Sequence, residues 1–202
     1  IQVNSWSYVD MGDGTGTSRE TELNKKSVEA FRQIPGVRAV MPMVEAYGML
    51  KSGRFVSDVS ILGVDASQAA EFDLTLSEGV YPSARRGSTR EMVISSYALQ
   101  WFRDPVTGKE AVDRDGNPRV ELDDRFQLTF DYNNIYQNAG GESTQAKGAM
   151  YRVEMVGQML DEGNYSYYCL MDLSTLEELI EDNEDFIGGS GAGKYNQVLV
   201  KC

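Results

Sequence analysis

The sequence predicts an α+β fold in which short helices sit among several hairpins and strands. Three observations predict it. Two Ser/Thr-x-x-Glu capping boxes, Thr17–Glu20 and Ser174–Glu177, each precede an amphipathic stretch. Several apolar runs bounded by turn residues read as strands, and Arg125–Tyr132 alternates cleanly. There is no regular βαβ alternation and no repeat at a fixed period.

Taken in order, Ile1–Val9 is strand-like and gives way to a Gly-rich loop, Asp10–Thr17. With Thr17 as N-cap and Glu20 reaching back, a helix follows whose buried side carries Leu23, Ala30, Phe31 and Ile34, with the small Ser27 between them. Pro35-Gly36 stops it. Val37–Leu50 and Phe55–Val64 form a hairpin about the turn Lys51–Arg54. Asp65–Gly87 is irregular. Glu91–Ile94 is a short strand leading into a short helix, Ser95–Phe102, capped by Ser95 or Ser96. Asp104–Asp124 is polar and turn-rich.

In Arg125–Tyr132, Phe126, Leu128, Phe130 and Tyr132 face one way. Asn133–Gly148 is a polar loop, and Met150–Leu160 and Tyr165–Met171 are further strands. Ser174–Glu177 opens an acidic helix that buries Leu176, Leu179 and Ile180. Ile187–Lys194 is Gly-rich, and Tyr195–Lys201 is the last strand. The middle, 66–148, holds most of the loop-rich material and reads as a mainly-β lobe inserted into a β-α-β frame made by 1–65 and 149–202.

At 202 residues the chain has room for one large domain or two small lobes. With 41% hydrophobic and 25% charged residues, it supports a packed core rather than disorder. Its formal charge of -12 repels phosphate backbones and anionic lipid, so no nucleic-acid partner is expected. There is no histidine, which removes Ser-His-Asp and Cys-His catalysis and the two-His zinc sites. Cys169 and Cys202 are too few for a four-thiolate site or a disulfide framework. No run of about 18 apolar residues and no signal-peptide pattern occurs. The chain opens and closes in strand-like runs and reads as a soluble domain cut from a longer protein, whose membrane segments would lie outside it.

Gly188-Gly-Ser-Gly-Ala-Gly-Lys194 matches the first seven positions of a phosphate-binding loop. The eighth position is Tyr195 rather than Ser or Thr, and the motif runs from helix to strand instead of strand to helix. A helix-to-strand connection rich in glycine explains it better. Asp113-Arg-Asp-Gly-Asn117 has the start of a calcium loop, with Glu121, Asp123 and Asp124 as further oxygens, but its glycine falls at position four. A solvated turn is the simpler reading. Asn164-Tyr-Ser166 is a glycosylation sequon, a common chance occurrence. Cys169 lies in an apolar strand, where a buried structural thiol fits better than a nucleophile. The Phe126–Tyr132 face reads as core rather than as a base-stacking platform. No catalytic, cofactor-binding or metal-ligating residue is assigned, and no cofactor is expected.

The order of short motifs resembles the MacB-like periplasmic core domain of ABC-transporter permeases of the FtsX-like superfamily. The pieces are Ile34-Pro-Gly-Val37, Ile61-Leu-Gly-Val-Asp65, Leu76-Ser-Glu-Gly79 with Tyr81-Pro82, Glu91-Met-Val-Ile-Ser95, Val153-Glu-Met-Val-Gly157, Cys169–Leu179 and Gln197-Val-Leu-Val-Lys201. The family continues past its last strand, whereas this sequence stops at Cys202.

The resemblance implies a porter-like α+β subdomain formed by 1–65 and 149–202, with 66–148 as an inserted mainly-β lobe. It also implies a non-catalytic extracytoplasmic domain of a permease, used for substrate handling, partner docking or mechanical coupling in export. Its partners would be the transmembrane helices of the same permease and, indirectly across the membrane, a cognate ABC ATPase. An exported peptide, lipid or lipoprotein would be the substrate, and the full-length transporter would be a dimer. Two other readings stay open at this point: a free-standing secreted binding or adhesion module, with or without calcium, and a carboxylate-dependent hydrolase, which needs two facing acids in a cleft.

Overall fold

The computed structural model describes residues 1–202 except 11, 13–14, 85–86, 137–147 and 188–192. In chain order the elements are β1 (Gln2–Asn4), β2 (Trp6–Asp10), β3 (Gly16–Glu20), α1 (Lys25–Arg32), β4 (Ala39–Ser52) and β5 (Phe55–Val64). They continue with β6 (Leu76–Gly79), β7 (Thr89–Ile94), β8 (Phe126–Thr129), β9 (Tyr151–Met159), β10 (Tyr168–Asp172), α2 (Leu173–Asp182) and β11 (Gln197–Lys201). The α+β class stands as expected: a mixed sheet dominates and two helices cover part of it.

The β4–β5 hairpin is the backbone of the sheet. Its turn is tight because Gly53 takes a left-handed conformation (φ 55°), and Ser52 pairs directly with Phe55. From there the pairings run β5–β10 (parallel), β10–β7 (antiparallel), β7–β9 (parallel), β9–β8 (antiparallel) and β8–β4 (antiparallel). This circuit returns to its starting strand, so the centre of the nine-stranded sheet is a closed ring without edges. β7 and β8 come from the middle of the chain and complete the same ring as strands from its two ends. β11 and then β1 extend the first half of β4, and β6 extends the last part of β9.

Both faces of the central strands are covered, and their sequences show it. In β10, Cys169 and Met171 point into the larger apolar cluster and Leu170 into the smaller, and all three are fully buried. Along β4, Val40, Val44, Ala46 and Leu50 join the first cluster, while Met41 and Met43 join the second. α2 supplies Leu176, Leu179 and Ile180 to the first cluster, as its spacing predicts. The helix comes close at Gly63, where an added Cβ would lie 2.7 Å from Val44 Cγ2 and 3.1 Å from Leu176 Cβ.

Several local expectations are corrected. Ile1–Val9 is two strands, broken at Ser5: β1 pairs with β11, and β2 turns away to pair with β3. Thr17–Glu20 opens no helix, because its backbone is committed to the β2 ladder, with Thr17 opposite Val9 and Glu20 opposite Trp6. The cap of α1 is instead Asn24, whose Oδ1 accepts from the Lys26 and Ser27 amides at 2.9 and 3.2 Å. Ser27 Oγ accepts from the Asn24 amide in return, which completes a capping box seven residues later than expected. With that shift Val28 becomes the buried residue of α1, while Ala30 and Ile34 are exposed.

α2 likewise starts earlier than Ser174. Asp172, at the end of β10, accepts from Thr175 N at 3.1 Å and from Ser174 Oγ at 2.6 Å, so the carboxylate takes the capping role. β8 stops at Thr129, and Tyr132 leaves the apolar face to lie at the surface. No helix among the described residues is long and apolar enough to cross a membrane.

Candidate functional site

The outer surface of the ring between β4, β5 and β10 collects exposed aromatic side chains. Tyr47 on β4 stands opposite Ser60 on β5, and Ser60 stands opposite Tyr168 on β10, so the three form a row across the sheet. Tyr167 precedes that row. After β7 the chain turns sharply because Ser95 Oγ, buried, accepts from the Ala98 amide at 3.0 Å and from the Tyr97 amide at 3.3 Å. The resulting 3-10 turn, Ala98–Trp101, packs on β5 and presents Tyr97 and Trp101 beside Tyr167. The expected helix capped by Ser95 or Ser96 is thus a short 3-10 turn whose cap position is Tyr97, and Ser95 braces it from two residues upstream.

Tyr97 and Tyr167 stack with ring centroids 4.5 Å apart and planes 10° from parallel. Trp101 lies 5.9 Å from Tyr97 and 6.2 Å from Tyr167, again within 20° of parallel. Tyr132 enters from the end of β8, where Asp131 accepts from the Asn133 amide at 2.9 Å and sets a second 3-10 turn. Together Tyr47, Trp101, Tyr132, Tyr167, Asp58 and Ser60 line a groove of about 300 Å³. Tyr47 is 60% exposed, Tyr167 55%, Trp101 47% and Tyr132 45%, so this surface is apolar, open and uncovered in the chain alone.

Its electrostatics are negative. Tyr47 donates its hydroxyl to Glu45 Oε1 at 2.7 Å, and that bond is the main reason its phenol is pushed up to about 12. Asp161 does the same to Tyr97, also pushed up to about 12 chiefly by hydrogen bonding. Both phenols therefore stay protonated across any ordinary pH and keep donating. Asp58 is paired with Arg103 at 2.7 Å, and Arg103 also donates to the Tyr136 hydroxyl at 3.1 Å. Among the described residues, neither Glu45 nor Asp161 has a cation within ion-pair distance.

The motifs singled out in the sequence lie elsewhere. Residues 188–192 of the phosphate-loop-like segment fall outside the described residues. Gly193 has φ 83°, and Tyr195 forms a bridge to Leu23. Asp113 makes an Asx-type turn: it accepts from the amides of Asp115 (2.8 Å) and Asn117 (2.9 Å), and these bonds hold its carboxyl below the usual range. Asp124 accepts from the Glu121 amide at 3.0 Å. No group of three potential metal-ligating side chains occurs among the described residues. Cys169 is fully buried, and burial pushes its thiol up to about 12, so it stays protonated and unreactive. Glu177, on α2, is a carboxyl raised by burial, but it does not line the groove.

Sequence reading missed the aromatic groove. Its aromatic members are Tyr47, Trp101, Tyr132 and Tyr167, with Tyr97 stacked on Tyr167, and each sits in a run that also supplies core residues. The available signal was the Tyr165-Ser-Tyr-Tyr168 run, which has more aromatic residues than one strand face can bury.

No family model and no curated protein matches this sequence. Among solved structures, the chain is similar to the periplasmic region of MacB from Actinobacillus actinomycetemcomitans. The TM-score is 0.50 at 15% identity, over 99% of this chain and 72% of that one. The extracellular domain of the ABC-type transporter YknZ from Gram-positive bacteria matches at a TM-score of 0.47 and 11% identity, over 89% of this chain and 73% of that one. The ring of β4, β5, β10, β7, β9 and β8, with its flanking strands and two helices, is thus the fold of a MacB-like periplasmic domain.

Proposed function

We propose that this chain is the extracytoplasmic domain of an ABC-transporter permease and works without catalysis of its own. One observation beyond the fold carries the reading. Ile1 N donates to Val200 O at 2.8 Å and Val200 N donates to Ile1 O at 2.8 Å, so the two ends of the chain lie side by side on the sheet. A domain inserted between two neighbouring membrane helices needs that geometry. Residues 1–65 and 149–202 then act as the porter-like root, and 66–148, which lends β7 and β8 to the same ring, as the part whose loops meet cargo or a partner. The partners are the permease's own transmembrane helices and, through them, a cytoplasmic ATPase. A dimeric transporter would present two such domains for docking, for handling of a peptide, lipid or lipoprotein, or for mechanical coupling.

The test uses Cys202, which is exposed, while Cys169 is buried with an unreactive thiol. A membrane-impermeant maleimide is applied to intact cells expressing the full-length parent, alongside its Cys202→Ser variant. The expected result is a parent that stays with carbonate-washed membranes and loses label in the variant. Label at Cys202 only after lysis, or a parent released from membranes by carbonate, overturns the reading.

A further inference from the structure

The aromatic groove carries an inference that holds whether or not the parent is a permease. We propose that it is a binding site for a cationic side chain, Lys or Arg, presented by a partner polypeptide. The geometry is that of a π surface. Tyr97, Trp101 and Tyr167 form one stack within 20° of parallel, and Trp101 and Tyr167 line the groove together with Tyr47 and Tyr132. Cations are drawn to such faces within about 6 Å of the ring centroid. A phenol that donates to a carboxylate gains electron density in its ring, and Tyr47 does so to Glu45.

Charge selects the occupant. Glu45 and Asp161 border the rings without a cation of their own among the described residues. Arg103, the guanidinium at this surface, is already held by Asp58 and Tyr136. The chain as a whole carries -12. An acidic segment, a nucleic acid or an anionic headgroup meets repulsion here, and a neutral sugar stacks on the rings and hydrogen-bonds a carboxylate but lacks the charge attraction that a cation gains. The site is also preformed. Its rings stand on β4, on the lead into β10, on the Ser95-capped turn and on the Asp131-capped turn, all tied to the closed ring, so little ordering is needed on binding.

The test is a titration of the chain with acetyl-Arg-Ala-Lys-Ala-Arg-amide, read by indole fluorescence in a Trp6→Phe background that leaves Trp101 as the reporter. Acetyl-Glu-Ala-Glu-Ala-Glu-amide and maltose are run in parallel. The expected result is saturable quenching by the basic peptide alone. Tyr167→Ala weakens it roughly twofold to thirtyfold, the range a lost cation–π contact gives. Tyr167→Phe, which keeps the ring, leaves it within about twofold on the same scale. Glu45→Gln weakens binding, while Glu181→Gln, at an exposed position on α2, does not. Equal losses in Glu45→Gln and Glu181→Gln would mean that net charge alone draws the peptide, and the proposal falls. It falls equally if Tyr167→Ala binds like the parent, or if maltose or the acidic peptide quenches as well as the basic one.

Discussion

Gly63→Ala isolates the contact that seats α2 on the sheet. Gly63 lies on β5 directly opposite Val44 of β4, and the first residue over it from the helix is Leu176. A methyl group there would sit 2.7 Å from Val44 Cγ2 and 3.1 Å from Leu176 Cβ, closer than carbon atoms pack. Neither neighbour can yield easily. Val44 is 2% exposed and stiff at χ1, and the Leu176 contact is to Cβ, which moves only with the helix backbone. Overpacking of this kind costs about 1–3 kcal/mol. Against it, replacing glycine narrows the unfolded ensemble and returns about 0.4–1 kcal/mol.

The midpoints of the two ranges leave a loss of about 1.3 kcal/mol, which for a chain of this size lowers Tm by about 3–5 °C. Urea unfolding followed by far-UV circular dichroism measures it, with Val44→Ala and the double variant completing a cycle. In the Val44→Ala background the obstructing methyl is gone, so the added Cβ should cost clearly less. A Gly63→Ala variant as stable as the parent, or losses that simply add in the double variant, would refute the argument that close approach demands glycine here.

Two further outcomes follow from capping and burial. Asn24→Ala removes the oxygen that accepts from Lys26 and Ser27 and should cost about 0.5–2 kcal/mol in urea unfolding. Thr17→Ala, at the capping position expected from sequence, should cost much less, because Thr17 is an exposed strand residue. Glu177 is raised mainly by burial, with Lys25 opposing and Asp172 adding to the rise, so the folded state prefers its neutral form. That preference stabilises the fold below the unfolded Glu pKa of about 4.3 and is lost as pH rises through the higher folded value. Glu177→Gln should therefore melt higher than the parent at pH 7 and converge with it near pH 4 in thermal scans. A variant less stable than the parent at pH 7 would show that the attraction to Lys25 outweighs burial.

What the sequence made legible was what short-range physics decides. The β4–β5 hairpin was readable because its turn and alternation are local, and the face of α2 because Leu176, Leu179 and Ile180 repeat at helical spacing. The failures come from long-range pairing. Thr17–Glu20 satisfies the capping-box pattern as well as Asn24 does, and only the partner strand at Trp6–Val9 decides between them. Ser174 is a good cap in isolation, but Asp172 arrives first because β10 ends there. The groove was illegible for a related reason. Tyr47 and Tyr167 are about 120 positions apart and are brought together only because Tyr168, next to Tyr167, pairs with Ser60 in the parallel β5–β10 ladder, which no local pattern announces.

The same long-range pairing links the ends of the chain to the groove. β4 is one continuous strand whose first half, Ala39–Met43, pairs with β11 and whose second half carries Glu45 and Tyr47. At the junction, Asn196, just before β11, accepts the Glu45 amide on its Oδ1 at 2.8 Å and donates its own amide to Met43 O at 2.9 Å. Glu45 in turn accepts from Tyr47. The strand that meets Ile1 is therefore bonded to β4 at Glu45 itself, the residue whose carboxylate accepts from the groove's tyrosine. Each strand of the closed ring is paired on both sides, and so is β11, which lies between β1 and β4, whereas β1 is paired on one side only among the described residues. The β4–β11 junction is thus the hydrogen-bonded link between the strands at the chain's two ends and the strand that carries Glu45 and Tyr47.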